Sequence, residues 1–337
     1  MKVGIAGASG YTGAELMRLC ATHPEFEVVL AGADSQAGRR VADLYPSLAA
    51  AYPALALTAL GPADLAGLDV VFLALPHGAS QTLVPDLVGR VGALVDLSAD
   101  FRLRDPAAYP QWYGREHLAP RLLGEFAYGL PELFRGEIQG ATLIAAPGCY
   151  PTAAALALAP FVRAGAVETT GVIVDAASGV SGAGRAPTAA THFTAVDEDF
   201  TAYGLLSHRH TPEIEQASGA GVVFTPHLAP MNRGILATCY ARPSVPLTTD
   251  GALGVLHDAY RAEPFVVVSD ASPSTKATLG SNCAHLTARV DPRTGWLIVL
   301  CALDNLVKGA SGQAVQCANI ATGLSEGTGL PVVGVYP

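Results

Sequence analysis

One cysteine stands at the start of a predicted helix, where its thiol could act as a nucleophile. Residues 141–146 form an apolar, strand-like run, a Pro-Gly pair ends it, and the alanine-rich residues 151–162 predict a helix with Pro151 in its first turn. A thiol there lies near unpaired backbone N–H groups and the positive end of the helix dipole, which favour the thiolate. Cys149 is therefore a candidate nucleophile, although a free cysteine is more often a small buried apolar residue.

A His-Arg-His triplet could supply the acid–base partner of such a thiol. Thr211 is predicted to cap a helix that begins at Pro212. His208 and His210 then precede the helix, and in an extended segment both rings point to one side. Without a third ligand they make a poor zinc site, and they could also be exposed residues with no functional role. Beside a poised cysteine they fit thiol chemistry with a histidine acid–base group.

A glycine-rich turn between a strand and a helix predicts a dinucleotide site near the start of the chain. Gly7 permits a tight turn, Gly10 lets the backbone approach a pyrophosphate, and Gly13 lets the helix pack closely on the strand. The G-x-x-G-x-x-G spacing is a variant typical of NADP-using dehydrogenases. After the second strand, Asp34 could hold the ribose 2′-OH of NAD, whereas Ser35 and the two arginines that follow could bind the 2′-phosphate of NADP.

Further strand-like runs extend the parallel sheet. Residues 69–75 and 94–97 are mostly apolar, as in strands covered by helices on both faces. Loops at the carboxyl ends of parallel strands line the ligand crevice, so the residues after these runs are site candidates. These candidates are Pro76, His77, Gly78, Ser98, Asp100 and Arg102. His77 could equally be a turn histidine, and residues 103–140 are expected to form a long irregular excursion.

The second half of the chain predicts a largely antiparallel sheet and a loop suited to anions. A strand over residues 171–176 leads into the small-residue loop 178–185, whose backbone N–H groups could face an anion, with Arg185 adding charge. A flexible linker is the alternative. Strand patterns recur at residues 222–225, 235–240, 265–268, 285–290 and 297–303. A C-terminal helix is expected to begin with residues 304–309.

Composition narrows the class of protein. Two domains are expected for 337 residues, and 50% hydrophobic with 15% charged residues suits well-buried sheets. A net charge of −9 without a basic block argues against nucleic-acid or anionic-membrane partners. The six cysteines show no metal-ligand spacing, no run reaches the roughly 20 apolar residues of a membrane span, and no signal peptide is recognised. A soluble cytoplasmic protein with reduced thiols and no metal is predicted.

Motifs spread over nearly the whole chain together carry a family resemblance. They are Gly7-Ala-Ser-Gly-Tyr-Thr-Gly13, Ala74-Leu-Pro-His-Gly78, Asp96-Leu-Ser-Ala-Asp-Phe-Arg-Leu103, Tyr128-Gly-Leu-Pro-Glu132, Pro147-Gly-Cys-Tyr-Pro-Thr152, Ser178 to Arg185, His208-Arg-His-Thr-Pro-Glu-Ile214, Arg233-Gly-Ile-Leu-Ala-Thr238 and Asp304-Asn-Leu-Val-Lys-Gly309. With these motifs the chain resembles the N-acetyl-γ-glutamyl-phosphate reductase family, the arginine-biosynthesis relatives of aspartate-semialdehyde dehydrogenase. The paralogous reductase of the carrier-linked lysine pathway has Gly-Cys-Asn-Ala-Thr at the cysteine motif, unlike this chain.

The resemblance implies NADPH-dependent reductive dephosphorylation of N-acetyl-L-glutamyl 5-phosphate to N-acetyl-L-glutamate 5-semialdehyde. Cys149 would release phosphate and form a thioester, and His210 would be the acid–base residue, although from sequence the roles of His208 and His210 could be exchanged. The alternative is a related phosphorylating semialdehyde dehydrogenase that acts on aspartyl phosphate or a carrier-bound aminoadipyl phosphate.

The resemblance also implies site residues, fold and assembly. Substrate contacts are expected from Tyr150, His208, Arg102, Arg185 and Lys308. Cofactor contacts, with NADP favoured, are expected from Gly7, Ser9, Gly10, Tyr11, Thr12, Gly13, Ser35, Arg39, Leu75, Pro76, His77, Gly78, Ser178, Gly182 and Asn305. A doubly wound, Rossmann-type α/β domain over residues 1–148, completed by a C-terminal helix over 305–337, is expected beside an α+β catalytic and oligomerisation domain over 149–304. Copies of the chain are expected to form a homodimer or homotetramer.

Overall fold

The computed structural model describes residues 1–337 and divides into two compact units. The first unit consists of Met1–Pro147 and Ala310–Leu330, and the second of Gly148–Gly309 and Pro331–Pro337. The sequence placed all of residues 305–337 with the first domain, whereas residues 305–309 and the last seven residues belong to the second unit. Two backbone hydrogen bonds hold this tail. The N–H of Asn282 donates to the carbonyl of Pro331 at 2.8 Å, and the N–H of Val335 donates to the carbonyl of Leu279 at 2.7 Å.

Strands and helices alternate in the first unit, and strands dominate the second. The strands are β1 Lys2–Ala6, β2 Glu27–Gly32, β3 Val70–Leu73, β4 Ala93–Asp96, β5 Ala127–Tyr128, β6 Leu143–Ala145, β7 Val172–Gly179, β8 Thr201–Ala202, β9 Val222–Ala229, β10 Ile235–Ala241, β11 Val266–Val268, β12 Ala284–Val290 and β13 Leu297–Leu303. The α-helices are α1 Tyr11–Cys20, α2 Val41–Leu44, α3 Pro62–Leu65, α4 Ser80–Leu83, α5 Ala108–Tyr113, α6 Pro131–Ile138, α7 Cys149–Arg163, α8 Phe193–Val196, α9 Thr211–Ser218, α10 Thr249–Tyr260, α11 Thr275–Thr278 and α12 Gly312–Ala321. Short 3₁₀ helices span Pro46–Leu48, Val84–Asp86, Pro120–Glu125, Val180–Ala183 and Ala189–Thr191, and a π-helical turn spans Val307–Ser311.

A six-stranded, wholly parallel sheet forms the centre of the first unit. Its strand order is β2-β1-β3-β4-β6-β5. Every residue of β3 and β4 is buried, which explains why these strands are apolar up to Asp96, the last residue of β4, and do not alternate. The strand that follows β1 in the chain, β2, lies on one side of β1, and the next strand, β3, lies on its other side. The turn after β1 is therefore at the switch point, where ligands bind in such sheets. The predicted doubly wound fold is confirmed.

Helix α12 returns to the first unit and packs on α1, α6 and β4. The hydroxyl of Ser311 donates to the carbonyl of Thr12 at 2.9 Å, and the Cys317 thiol donates to the carbonyl of Gly129 at 3.2 Å. The helix begins later than predicted because a π-helical turn follows β13. The carboxylate of Asp304 holds the beginning of that turn, since it accepts the N–H groups of Leu306 and Val307 at 2.8 and 3.2 Å.

Residues 103–140 are more regular than the sequence predicted, and that prediction is wrong. The segment holds α5, a 3₁₀ helix over Pro120–Glu125, the short strand β5 and α6. The prolines of this segment had indicated irregular structure. Pro120 and Pro131, however, each lie in the first turn of a helix, where a missing N–H costs nothing. The segment is anchored by the fully buried ring of Tyr109, whose hydroxyl donates to the carbonyl of Asp100 at 2.7 Å.

A seven-stranded mixed sheet forms the second unit, in the order β11-β12-β13-β10-β7-β9-β8. Four of its neighbouring pairs are antiparallel, and β11–β12 and β7–β9 are parallel, which confirms a largely antiparallel sheet. Burial alternates along β7 and β10, so one face of the sheet is covered. Helix α7 packs against β10 and β13 of this sheet.

Candidate active site

Cys149 is the first residue of α7, two residues earlier than the predicted start. Gly148 takes the N-cap position with an extended backbone (φ −71°, ψ 159°). Every residue from Tyr150 to Phe161 is buried, so the helix behind the thiol is held rigidly. Cys149 is half-buried, whereas the other five cysteines are buried. A thiol with access to solvent at the positive end of a helix is the arrangement that thiolate chemistry needs.

A buried glutamate holds the residue that precedes Cys149, the candidate nucleophile. Oε1 of Glu213 accepts the backbone N–H of Gly148 at 2.8 Å, and the Glu213 side chain is fully buried. Glu213 lies in the first turn of α9, whose N-cap residue is His210. The sequence prediction of Thr211 as the cap is wrong, because the helical hydrogen bonds begin one residue earlier, from the N–H of Ile214 to the carbonyl of His210 at 2.9 Å. Helix α9 therefore carries the acid–base candidate and also fixes the start of the helix that holds Cys149.

Two substitutions of Glu213 should show how much its hydrogen bond to Gly148 contributes to stability and turnover. Glu213→Ala leaves the Gly148 N–H without its buried acceptor, which costs about 1–3 kcal/mol. We expect a lower free energy of unfolding in urea and a lower turnover number. Glu213→Gln keeps a carbonyl oxygen for the same bond and should recover most of the lost stability. A Glu213→Ala variant as stable as the wild type would contradict the role of this bond.

The two histidines meet at one aromatic ring. The Tyr150 ring lies 5.7 Å from the His208 ring and 5.9 Å from the His210 ring, and the two imidazoles are 4.8 Å apart, all between centroids. The extended segment predicted for them is wrong. The segment is a turn, in which the N–H of Thr211 donates to the carbonyl of His208 at 3.0 Å. The rings share one side because the turn folds the chain back.

The tautomer of His208 is set by its neighbour. The backbone N–H of His210 donates to Nδ1 of His208 at 3.1 Å, which places the proton of the neutral ring on Nε2. Burial, with a smaller contribution from the Arg209 charge, lowers the pKa of His208 to about 4. At neutral pH His208 is therefore an uncharged ring with an Nε2–H group to donate.

The lowered pKa of His208 predicts a pH dependence of stability. Unfolded His208 has a pKa near 6.5 and the folded residue near 4, so the unfolded state binds more protons between these values. The contribution of His208 to stability is complete above pH 6.5 and is lost as the pH falls towards 4. His208→Asn should therefore show a smaller drop in melting temperature between pH 7 and 4.5 than the wild type. The exposed His257→Asn is the control, and an equal drop in all three proteins would contradict the prediction.

Tyr203 joins this cluster, although it was not among the predicted site residues. Its hydroxyl donates to the Tyr150 hydroxyl at 3.2 Å, which donates in turn to the carbonyl of His227 at 3.0 Å. The Tyr203 ring lies 5.4 Å from the His208 ring. Burial, with a contribution from Cys149, raises the pKa of Tyr203 to about 12, so its hydroxyl stays protonated. No local pattern marks Tyr203, because its partner lies 53 residues away.

Three predicted cofactor residues of the second unit also lie together. The Asn305 amide donates to the Ser181 hydroxyl at 3.0 Å and accepts the N–H of Gly234 at 2.7 Å. A Cβ added to Gly182 would lie 2.7 Å from Oγ of Ser178 and 3.8 Å from Nδ2 of Asn305. The end of β7 and the turn after it thus lie against Asn305, the second residue after β13. Whether these groups touch the cofactor stays a prediction.

The predicted anion-binding side chains differ in exposure. Arg185 is exposed on the loop after the Val180–Ala183 turn. Lys308 is fully buried, with Nζ 5.8 Å from the centroid of the Phe265 ring. In the first unit, Arg102 is nearly buried, its Nε donating to the carbonyl of Ala146 at 2.8 Å and its Nη2 to that of Leu97 at 2.7 Å. Their contacts with substrate stay predictions.

Two family models match the chain. "Semialdehyde dehydrogenase, NAD binding domain" matches residues 2–141, and "Semialdehyde dehydrogenase, dimerisation domain" matches residues 149–305. The N-acetyl-gamma-glutamyl-phosphate reductases of Symbiobacterium thermophilum and Geobacter sulfurreducens are 52% and 47% identical to the chain. Both alignments cover all of this chain, and they cover 99% and 100% of the relatives. The chain is a member of the N-acetyl-γ-glutamyl-phosphate reductase family. This membership confirms the resemblance predicted from the motifs.

Solved structures similar to this reductase come from the neighbouring enzymes of the superfamily. Aspartate semialdehyde dehydrogenase II of Vibrio cholerae, complexed with ASA, has a TM-score of 0.71 at 14% identity and covers 95% of this chain and 97% of its own. The Candida albicans aspartate semialdehyde dehydrogenase with NADP has a TM-score of 0.71 at 15% identity and covers 96% and 99%. These likenesses show the shared fold.

The glycine-rich turn of this reductase fits a dinucleotide pyrophosphate. Gly7 has φ +89°, and a Cβ there would overlap the carbonyl oxygen of Ala74. A Cβ on Gly13 would overlap the carbonyl oxygen of Gly7. Gly10 caps α1 with an extended backbone, and no side chain bonds to that helix end. Backbone N–H groups at an open helix N-terminus suit a phosphate, and the turn is braced by the Tyr45 hydroxyl, which donates to the carbonyl of Ser9 at 2.7 Å.

The other predicted cofactor residues of the first unit follow the sheet strands. Ala74 lies against the glycine-rich turn, and the predicted cofactor residues Leu75, Pro76, His77 and Gly78 follow it in the chain. The N–H of Gly78 donates to the Asp100 carboxylate at 2.7 Å. Nδ1 of His77 accepts the N–H of Ala99 at 3.0 Å, so its backbone turn is fixed. Beyond β2, Ser35 and Arg39 are exposed, and Tyr11 and Thr12 lie in the first turn of α1. None of the helices combines the length and the apolar character that a membrane-spanning segment needs.

Proposed function

We propose that this chain catalyses the NADPH-dependent reductive dephosphorylation of N-acetyl-L-glutamyl 5-phosphate to N-acetyl-L-glutamate 5-semialdehyde in arginine biosynthesis. The observation that carries the proposal is the full-length identity of up to 52% with reductases of that name. The half-buried Cys149 at the start of α7 and the neighbouring histidine pair supply the groups that the reaction needs.

In the first half-reaction, the Cys149 thiolate attacks the acyl carbon of the substrate. The bond between this carbon and the phosphate oxygen breaks, phosphate leaves with the bonding electrons, and a thioester remains on Cys149. The N-terminus of α7 stabilises the thiolate before the attack. The Gly148–Glu213 hydrogen bond holds the backbone while the reaction proceeds.

In the second half-reaction, the thioester is reduced. NADPH, when bound, supplies a hydride for the thioester carbonyl carbon. His210 gives a proton to the developing oxyanion, and later takes the hydroxyl proton of the thiohemiacetal as the C–S bond breaks and the thiolate returns. His208 is neutral and offers Nε2–H, so it is suited to hold a substrate oxygen. This division favours His210 as the acid–base residue.

The first unit supports NADP as the coenzyme. Its glycine-rich turn leaves the N-terminus of α1 open to a pyrophosphate. Ser35 and Arg39, both exposed after β2, are the proposed partners of the 2′-phosphate. Asp34 beside them is exposed too, so a phosphate there would meet one carboxylate as well as the guanidinium.

We also propose that the reductase works in the cytoplasm as a homodimer or homotetramer. All six cysteines are free, as expected in a reducing compartment. The family description of residues 149–305 names a dimerisation domain. The uncovered face of β7, β10 and β13 carries half-exposed apolar side chains, among them Ile173, Tyr240 and Ile298, which a second copy would bury. Light scattering on a size-exclusion column tests this assembly, and a monomer at micromolar concentration contradicts it.

The reverse reaction tests the function directly. We expect NADP reduction with N-acetylglutamate semialdehyde that depends on added phosphate. Aspartate semialdehyde and a carrier-bound aminoadipate semialdehyde are the comparison substrates, and each should give much slower turnover. Activity with only one of these would keep the thioester chemistry and contradict the assigned substrate. NADPH binding without turnover of any semialdehyde would contradict the enzymatic function itself.

A further inference from the structure

The turn after the last strand passes directly against the nucleophile. The π-helical turn Val307–Ser311 follows β13, and the N–H of Gly309 donates to the carbonyl of Asp304, five residues back, at 2.9 Å. A Cβ built on Gly309 would lie 2.8 Å from Cβ of Cys149 and 3.2 Å from its Cα. The backbone of Gly309 therefore forms a wall against the residue that carries the thiol.

Glycine is required at this position by the contact and not by the backbone conformation. Gly309 is absent from the residues with positive φ, so an alanine could adopt the same φ and ψ. The added methyl group would, however, approach Cys149 closer than real Cβ atoms do. Because α7 is packed on all sides, Cys149 cannot move away without disturbing a buried helix.

The base of the turn is fixed by a buried carboxylate. Asp304 is fully buried, its Oδ1 accepts the N–H of Leu306 at 2.8 Å, and its Oδ2 accepts the N–H of Gly280 at 2.8 Å. Arg233 lies 3.5 Å from the same carboxylate. These bonds hold the turn, so the wall that Gly309 presents to Cys149 is rigid. Single π-helical turns of this kind occur frequently at functional sites.

We propose that Gly309 is a positioning residue that sets the direction of the Cys149 thiolate. Sγ of Cys149 can occupy three staggered positions about the Cα–Cβ bond, and backbone packed against Cβ restricts which of them are open. The N–H of Gly309 is already bonded to the Asp304 carbonyl, so Gly309 acts through its shape and not as an oxyanion donor. This inference rests on the proposed role of Cys149 as the nucleophile, and on no particular acyl phosphate.

Gly309→Ala tests the proposal with two independent measurements. We expect the turnover number to fall roughly a hundredfold, as displacement of a reacting group by about 1 Å can cause, with Michaelis constants changed less than about threefold. The rate of Cys149 alkylation by iodoacetamide, measured from pH 5 to 10 without substrate, should fall, and the pH of half-maximal rate should rise. Alkylation needs no semialdehyde, so this measurement stands even if the substrate assignment fails.

The matched control is Gly254→Ala in α10 of the same unit, where an added Cβ has no atom within 4 Å. This variant should keep the wild-type turnover and alkylation profile. Wild-type values for both measurements in a folded Gly309→Ala protein would overturn the proposal.

A second variant covers the case in which Gly309→Ala does not fold. Asp304→Asn removes the acceptor for one backbone N–H and loosens the base of the turn without adding a clash. It should lower turnover and alkylation rate in the same direction by a smaller factor. Unchanged alkylation of Cys149 in a folded Asp304→Asn protein would also overturn the proposal.

Discussion

Cys149→Ser should lower the phosphate-dependent turnover by about a thousandfold or more, because a neutral hydroxyl is a far weaker nucleophile than a thiolate. The substitution is nearly isosteric at a half-buried position, so the melting temperature should change little. Steady-state NADP reduction with N-acetylglutamate semialdehyde and phosphate gives the loss. Mass spectrometry of the wild type with acyl phosphate alone should show the acylated protein, and the variant should stay unmodified.

Cys317→Ser is the matched control for this experiment. Cys317 is fully buried and donates to the carbonyl of Gly129 at 3.2 Å, a bond that a serine hydroxyl can also make. Its turnover should match that of the wild type. A Cys149→Ser protein that retained substantial activity would contradict the covalent mechanism, whichever semialdehyde proved to be the substrate.

His210→Asn should lower the turnover number by about 10²–10⁴-fold, since it removes the group that moves protons to and from the substrate oxygen. Asparagine keeps the backbone N–H that bonds to Nδ1 of His208, so the tautomer of the neighbouring ring is preserved. His208→Asn should instead raise the Michaelis constant for the acyl substrate, because His208 is expected to bind and not to exchange protons. Kinetics of all three proteins from pH 6 to 9 test this division.

The pH profiles identify which histidine is the acid–base residue. The ionisation seen in wild-type turnover should persist in His208→Asn, since the pKa of His208 lies near 4, below this range. The same ionisation should disappear in His210→Asn. The opposite pattern would exchange the two roles, which the sequence had left open.

Local spacing was enough to predict the parts of the site that depend on a few consecutive residues. Gly7, Gly10 and Gly13 define a turn whose geometry is set within seven residues, and the structure gives each glycine a close contact or an open helix end. A cysteine followed by proline and alanines predicted a helix that begins near the thiol. The helix begins at Cys149 itself, because its Gly148 cap is held by Glu213, which local sequence does not reveal.

The sequence missed the features that depend on distant residues. The Glu213–Gly148 bond joins residues 65 positions apart, and the Tyr203–Tyr150 bond joins residues 53 apart. The prolines of the 103–140 segment predicted irregularity, because a proline that breaks a helix and a proline that starts one look alike without the neighbouring packing.

Short-range periodicity and motifs read in order were enough to predict the two folds and the family. They also make Cys149 the candidate nucleophile and the glycine-rich turn the candidate coenzyme site. Three features could be recognised only in the folded protein: the tautomer of His208, the hydrogen bond between Glu213 and Gly148, and the contact of Gly309 with Cys149. These features arise where the sheet of the second unit brings separate turns together. Their physical cause is packing and hydrogen bonding between segments far apart in the chain, which no local pattern encodes.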